Sequence, residues 1–349
     1  MDAFYVAVEL QRRPELVGRP VVVAGTGPRA VVTTASYEAR KFGVFSATPA
    51  ERARRLCPDA VFLPPDFELY RARSRDVMAV LHEQVERVEA ASLDEAYLDL
   101  TGLERPKPAA QRIKAAVQQR TGLTCSIGMG PSKLVAKVAS DAEKPNGFVI
   151  LTTEEARARF KDASPGLIPG IGPRTTERLL KGGIKTLGEL RRVPVQQLID
   201  AFGPGTGPHL LRLANFDDER EVQPVRVAKS ESRETTFDVD IRDPAELVSV
   251  LTRLSAELCE RLVKQERRGR NIAIKVRLDD FSTHTRATTI GEPTNDPDVV
   301  TPIANDLLRK FDAPRPVRLL GVKVAGLDED RAAGDDATAE HPAQLALPL

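Results

Sequence analysis

From residue 153 to about 218 the chain reads as helical, and it is broken at Pro169-Gly170-Ile171-Gly172-Pro173, at Gly182-Gly183 and at Gly203-Pro204-Gly205-Thr206-Gly207-Pro208. Glycine and proline at these intervals end each helix after a few turns, which predicts a small all-α domain. The residues on either side of it must fold around other cores. The length of 349 residues agrees, since about 150 residues per domain gives two to three domains.

The first part alternates strand-like and helix-like text. Residues 20–24 and 30–34 are rich in β-branched side chains and read as strands. Ser36-Tyr37-Glu38-Ala39-Arg40-Lys41-Phe42-Gly43 has a capping serine, a short body and a glycine at the C′ position, so a helix of two turns at most is expected. A longer helix is predicted over 67–85, where Tyr70, Val77, Val80, Leu81 and Val85 recur at helical spacing. Residues 88–93 and 96–100 read as a hairpin with Asp94-Glu95 at its turn. A helix over about 108–120, a strand over 125–129 and a helix from Ser132 to about 143 come next. This order suits an α+β sheet with helices on one face.

After a linker at 221–230, Arg233-Glu234-Thr235-Thr236-Phe237 opens a last unit. Ile272, Ile274, Val276 and Leu278 alternate with Ala273, Lys275 and Arg277, giving one apolar face and one that carries cations. Residues 284–290 and 317–324 read as further strands of that sheet.

Apolar residues make up 41% and charged residues 29% of the chain, a globular composition that argues against wholesale disorder. No apolar run approaches the roughly 18 residues of a spanning helix, and no basic-then-apolar leader stands at the N-terminus. No membrane association and a cytoplasmic location are therefore expected. Cys57, Cys125 and Cys259 are odd in number and widely separated, so neither a disulfide framework nor a zinc site is predicted. The net charge is +1, but residues 328–349 carry −5 and leave +6 on the body. That is compatible with a polyanionic partner without requiring one.

Adjacent acids at a hairpin turn, Asp94 and Glu95, can aim both carboxylates at one point and suit a hard divalent cation; a solvated turn is the plainer reading of the pair alone. Tyr37 and Arg40, three residues apart, share a helix face from which a hydroxyl and a guanidinium fork could meet a phosphate. Lys144, at the start of Lys144-Pro145-Asn146-Gly147, could add a point charge to the same anion. Taken singly, each also reads as a surface residue. The segment 168–176 reads as a helix-hairpin-helix whose Gly170 and Gly172 let backbone N–H groups approach a DNA phosphate; a tight turn between helices fits it equally.

Met1-Asp2-Ala3-Phe4-Tyr5-Val6-Ala7-Val8-Glu9, Ser36-Tyr37-Glu38-Ala39-Arg40-Lys41-Phe42-Gly43, Ser92-Leu93-Asp94-Glu95-Ala96-Tyr97 and Lys144-Pro145-Asn146-Gly147 stand in the order found in Y-family DNA polymerases. With Pro169 to Pro173, Arg233-Glu234-Thr235-Thr236-Phe237 and Phe281-Ser282-Thr283-His284-Thr285-Arg286, the chain resembles that family over nearly its whole length. The resemblance implies a multidomain α+β right-hand polymerase. Its palm, with a ferredoxin-like sheet, would span 1–3 and 66–152, and its fingers 4–65. An all-α helix-hairpin-helix thumb would occupy 153–220 and an α+β little finger 231–327, with 328–349 as a disordered acidic tail. The implied function is template-directed, low-fidelity translesion DNA synthesis by a nucleotidyltransferase acting as a bacterial, cytoplasmic monomer on primer-template DNA and deoxynucleoside triphosphates.

Carried over by position, the family pattern makes Asp94 and Glu95 the catalytic acids and, with the Met1 carbonyl, the ligands of two Mg²⁺ ions. Tyr5, Thr34, Tyr37, Arg40 and Lys144 would bind the incoming nucleotide, with Tyr5 as the steric gate against a 2′-hydroxyl. Gly170, Gly172, Lys264, Arg267, Arg268, Arg270, Lys275 and Arg277 would bind DNA. One departure stands at the start: the family has a further aspartate, preceded by a short apolar strand, just before the position of Met1. The simplest expectation is a start codon assigned too late, at an internal methionine, with a truly shortened, inactive chain as the other reading. The alternative is a DNA- and clamp-binding protein without polymerase activity; a two-metal nuclease gives Tyr5, Tyr37, Arg40 and Lys144 no role. Finally, Gln344-Leu345-Ala346-Leu347-Pro348-Leu349 looks like a bacterial sliding-clamp peptide, with Gln344, Leu345, Leu347 and Leu349 as the docking residues.

Overall fold

The computed structural model describes residues 1–328. The proposed clamp peptide and the tail from residue 329 lie outside the described residues. The first element is α1 (Phe4–Arg12), followed by β1 (Val21–Ala24), β2 (Val32–Ala35), α2 (Tyr37–Arg40), α3 (Ala50–Leu56) and β3 (Val61–Leu63). Strand β1 lies in the middle, antiparallel to β2 and parallel to β3. All four of its residues are buried because both faces are covered. Val21 and Val23 belong to the core that contains Phe4, Val6, Val8 and Tyr70, while Val22 and Ala24 pack with Val32, Ala39 and Ala53. Ser36 Oγ accepts from the Ala39 and Val21 amides at 3.2 and 3.0 Å. That cap fixes the start of α2 and hence where Tyr37 and Arg40 stand.

Next come α4 (Phe67–Gln84), β4 (Val88–Ala90), β5 (Ala96–Leu98), α5 (Pro106–Thr121), β6 (Ile127–Met129), α6 (Lys133–Asp141) and β7 (Phe148–Ile150). The expected hairpin is present, with Val88 opposite Leu98 and Ala90 opposite Ala96. Strands β6 and β7 run parallel. Here the ladders are shorter than expected: β4–β5 and β6–β7 are two separate two-stranded pieces. A cleft of about 720 Å³ opens between them, with Val77, Leu81, Ile113 and Val117 in its lining and Asp94, Glu95, Lys137 and Lys144 along it.

Helices α7 (Thr153–Arg159), α8 (Pro173–Lys181), α9 (Leu187–Leu190), α10 (Val195–Phe202) and α11 (Thr206–Ala214) form the all-α unit. Capping boxes Thr152/Glu155 and Thr186/Glu189 start α7 and α9. The core of this unit, including Ile168, Leu179, Leu198 and Leu210, is continuous with Leu134 and Val138 of α6. The last unit has β8 (Ser230–Ile241), α12 (Pro244–Lys264), β9 (Gly269–Leu278), β10 (Thr283–Thr294), α13 (Pro297–Phe311) and β11 (Val317–Leu327). Its sheet has the order β10-β9-β11-β8 with every neighbour antiparallel. Leu251, Leu258 and Leu262 of α12 pack on Ile272, Ile274 and Val276, the apolar face that the alternation predicted.

The connecting segment is bound to the first unit. Glu89 accepts from Lys133 Nζ and from the Gln223 amide at 2.8 Å, Arg87 donates to the Val222 carbonyl, and Asp218 accepts from the Leu134 amide. A second tie, Arg29 to Asp240 at 2.6 Å, joins the loop after β1 to β8.

Candidate active site

The turn between β4 and β5 is closed by the Ala91 and Ser92 amides, both donating to the Glu95 carbonyl. Ser92 Oγ donates to Asp94 Oδ1 at 2.9 Å and accepts from the Asp94 amide, which aims that carboxylate. The Met1 ammonium donates to the Asp94 carbonyl at 2.6 Å, so Met1 lies beside the acid pair. Glu95 Oε1 meets Lys137 Nζ at 2.5 Å, Lys137 reaches Asp141 at 3.1 Å, and Asp141 meets Lys144 Nζ at 2.6 Å. A chain of alternating charge thus joins Glu95 to Lys144.

Burial would raise the Asp141 carboxyl, but hydrogen bonding and charge from Lys144 and Lys137 outweigh it and hold the group below its ordinary range. Lys137 is shifted the other way: burial would lower it, and Glu95 and Asp141 hold it above the ordinary lysine value. Neither Lys137 nor Asp141 was singled out from the sequence. The signal lies in the i, i+4 spacing of 137 and 141 on α6, with Lys144 three residues beyond the end of that helix.

Arg40 stands with its guanidinium carbon 4.6 Å from the centre of the Tyr37 ring, and its Nε donates to the Ala35 carbonyl at 3.0 Å. The Tyr37 hydroxyl is buried without a hydrogen-bond partner among the described residues. Its pKa is raised, first by burial and then by Asp2 and Asp141, with Arg40 opposing. The hydroxyl therefore keeps its proton and can donate to an acceptor oxygen, with the Arg40 guanidinium as the adjacent cation. Thr34, half-buried on β2, lies one residue from Ala35. Tyr5 on α1 is 8% exposed and stacks on Tyr70 at 4.4 Å between ring centres. Burial and then the nearby Asp94 push its phenol up to about 12.

Asp2 is 4% exposed and turned elsewhere. Its Oδ1 accepts from Ser126 Oγ at 2.7 Å and its Oδ2 from the Asn146 amide at 2.9 Å, so it braces the turn that carries Lys144. In that turn a Cβ on Gly147 would lie 2.5 Å from the Glu143 carbonyl oxygen, so only glycine fits without a shift.

The donor chemistry at the acid turn meets the needs of a metal. Two carboxylates and nearby backbone carbonyls are hard oxygen donors of the kind a divalent cation takes, and the lysine already held by Glu95 marks the spot as one that favours positive charge. Among the described residues no group of three His, Cys, Asp or Glu side chains is gathered for metal binding. The residues present fit a hard divalent ion that draws its remaining ligands from substrate oxygens.

The residues predicted to meet DNA are spread over two units. Gly170, at φ 98°, and Gly172, the N-cap of α8, are exposed at the head of that helix. Arg268 and Arg270 are exposed beside and on β9. Lys264 pairs with Glu260, Lys275 with Glu234, and Arg277 donates to Thr283 Oγ1. Arg267 is placed differently from expectation: it is 8% exposed, and its guanidinium donates to the Ala228 carbonyl, tying the connecting segment to the last unit. No helix among the described residues is long and apolar enough to cross a membrane.

Comparison with known proteins adds independent findings. The impB/mucB/samB family matches residues 1–141, its C-terminal domain residues 228–337, and the thumb domain of DNA polymerase-iota residues 166–215. The chain is 43% identical to DNA polymerase IV of Streptomyces coelicolor, over 99% of this chain and 74% of that one. It is 42% identical to DNA polymerase IV of Methanoculleus marisnigri, over 94% of this chain and 93% of the relative. Among solved structures, a Y-family DNA polymerase chimera of Dbh and Dpo4 matches with a TM-score of 0.81 at 29% identity, covering 93% of this chain and 96% of that one. DinB from Sulfolobus solfataricus matches over the same shares with a TM-score of 0.62 at 28% identity. The reading as a binding protein without polymerase activity finds no support in these relatives. Motif order, architecture and likeness over nearly the whole length converge, and the chain belongs to the DNA polymerase IV group of the Y-family DNA polymerases, DNA-directed enzymes of translesion synthesis that require a divalent metal.

Proposed function

We propose that the cleft between β5 and β6 is where a primer is extended, with Asp94 and Glu95 as the catalytic acids. The observation that carries this reading is the charge chain from Glu95 through Lys137 and Asp141 to Lys144, which brings two distant motifs to one site. Asp94, Glu95 and the Met1 carbonyl would hold Mg²⁺, two ions in the complete complex. Bound there, the ions would offset phosphate charge and favour the ionised primer oxygen. The primer 3′-hydroxyl gives its proton to solvent water, its oxygen bonds to the α-phosphorus, and the bond from that phosphorus to the oxygen of the departing pyrophosphate breaks. Tyr37, Arg40, Lys144 and Thr34 would hold the triphosphate, the first through its unpartnered hydroxyl and the second through its planar fork. Tyr5 would lie beneath the deoxyribose and exclude a 2′-hydroxyl.

In this reading the palm spans 1–3 and 66–152, the fingers 4–65, the thumb 153–220 and the little finger 231–327, with 221–230 as linker. Gly170 and Gly172 would meet a DNA phosphate at the head of α8. Lys264, Arg268, Arg270, Lys275 and Arg277 would supply salt-sensitive backbone affinity; the burial of Arg267 suits it to holding the linker instead. The tail residues Gln344, Leu345, Leu347 and Leu349 would dock in a sliding clamp, and the enzyme would act as a monomer in the bacterial cytoplasm.

Primer extension over a Mg²⁺ titration tests the site. Glu95→Gln is expected to lower incorporation by at least about a hundredfold while primer-template affinity stays within about twofold. Extension near the wild-type rate would remove the assignment.

A further inference from the structure

Four residues after Tyr5, on the same face of α1, stands a carboxylate that no step above uses. Glu9 is 1% exposed. A buried charge is costly unless its oxygens are satisfied, and both are: Oε1 accepts from the Tyr70 hydroxyl at 2.8 Å and Oε2 pairs with Arg13. Tyr70 is fully buried on α4, and its ring lies 18° from parallel with that of Tyr5. Phe67 meets both rings edge-on, with centres 6.0 Å away in each case. Apolar packing alone would hold α1 against α4. It would not stop the Tyr70 ring from sliding in its own plane, whereas a hydrogen bond from its tip to a fixed carboxylate does.

We propose that Glu9 and Tyr70 are positioning residues for the Tyr5 ring and thereby determine how strictly the enzyme selects deoxyribose. The proposal rests on the reading of Tyr5 as the ring beneath the sugar. Excluding one oxygen atom requires the ring to hold its place to a fraction of an ångström, because a small retreat makes room for a hydroxyl. Tyr70 covers one face of the Tyr5 ring and blocks that retreat, and Glu9 keeps Tyr70 from yielding. Selectivity is a difference between two transition states, so loosening the support should help the ribonucleotide more than it harms the deoxyribonucleotide.

The test compares kcat/KM for a deoxyribonucleotide and its ribonucleotide on one preparation of each full-length variant, so that the ratio does not depend on the fraction folded. Tyr5→Ala is the reference and should lose most discrimination. Tyr70→Phe, which keeps the stacked ring but loses its anchor, should lower the ratio about tenfold. Glu9→Gln, whose amide oxygen can still accept the hydroxyl, should retain most of it. If Tyr5→Ala loses discrimination while Tyr70→Phe keeps the wild-type ratio, or slows both nucleotides equally, the proposal is overturned. An unchanged ratio in Tyr5→Ala would instead overturn the steric-gate reading, and this inference with it.

Discussion

The sheet of the last unit and the short strands around the acid turn solve different problems. In the last unit, β8 to β11 are 10 to 12 residues long, form one registered sheet and carry two helices on an apolar face. In the region around the acid turn, β4 to β7 have three residues each and stand as two separate ladders beside an open cleft. The first is held by side chains such as Leu251, Leu258 and Leu262, all 0% exposed. The second is tied to its surroundings by charge: Glu95 to Lys137, Asp141 to Lys144, and Glu89 to Lys133. Packing thus dominates one part of the molecule and paired charge the other, and the part proposed to react is the one with short ladders. That is where local opening is least costly.

The largest expected effect breaks the packed side of this comparison. Leu258→Ala should lower unfolding stability by about 2–5 kcal/mol, read by denaturant melts, with nucleotide incorporation per folded molecule unchanged. Lys144→Ala acts on the other side. It should reduce kcat/KM about a hundredfold, or about 2.7 kcal/mol of transition-state stabilisation, with little change in thermal midpoint. A loss of fold in Lys144→Ala would show that the charge chain is structural.

Acid should separate the regions as well. Burial would raise Glu89 and Asp218, but hydrogen bonds and cations outweigh it in both, from the Gln223 amide and Lys133 in the first and from Arg220 and the Leu134 amide in the second. Both carboxyls therefore sit below their ordinary values. Groups depressed in the folded state contribute stability that is present above the unfolded pKa, near pH 4, and lost as pH falls through the folded value. Hydrogen exchange of the segment around residues 218–223 should rise as pH is lowered from about 5 to about 3, after correction for intrinsic exchange, before that of α12 and β9. Glu89→Gln should weaken this dependence. Simultaneous opening of both regions would contradict the division. The smallest effect is expected at the sheet: Arg268→Ala should weaken DNA binding uniformly across sequences and reduce the slope of log K against log salt by about 1.

How much of this was legible depended on whether the partner lay within the same element. The Ser36 cap, the apolar face of β9 and the acid turn obey local rules, and each is found where expected. Strand ends in the central region were less legible: residues 91–93 and 125–126 read as strand, yet 91–93 belong to the turn and the ladder starts at Ile127. Three-residue strands are defined by what lies beside them, and no local pattern announces that. Glu9 is the clearest case of a hidden residue. A glutamate on an amphipathic helix reads as solvated, and only the approach of Tyr70 from α4 and the pairing with Arg13 make its burial tolerable. Arg267 failed in the opposite sense, as one cation in a basic run that turned inward to the Ala228 carbonyl.

The central claim is that chemistry resides at the acid turn while affinity for DNA resides elsewhere. The most direct measurement is single-turnover incorporation of one deoxynucleotide by Asp94→Asn, paired with primer-template binding by fluorescence anisotropy in the same buffer. The account predicts incorporation at least about a thousandfold slower with the dissociation constant for DNA changed by less than about twofold. Incorporation within a few-fold of wild type, or a loss of binding in step with the loss of rate, would contradict it.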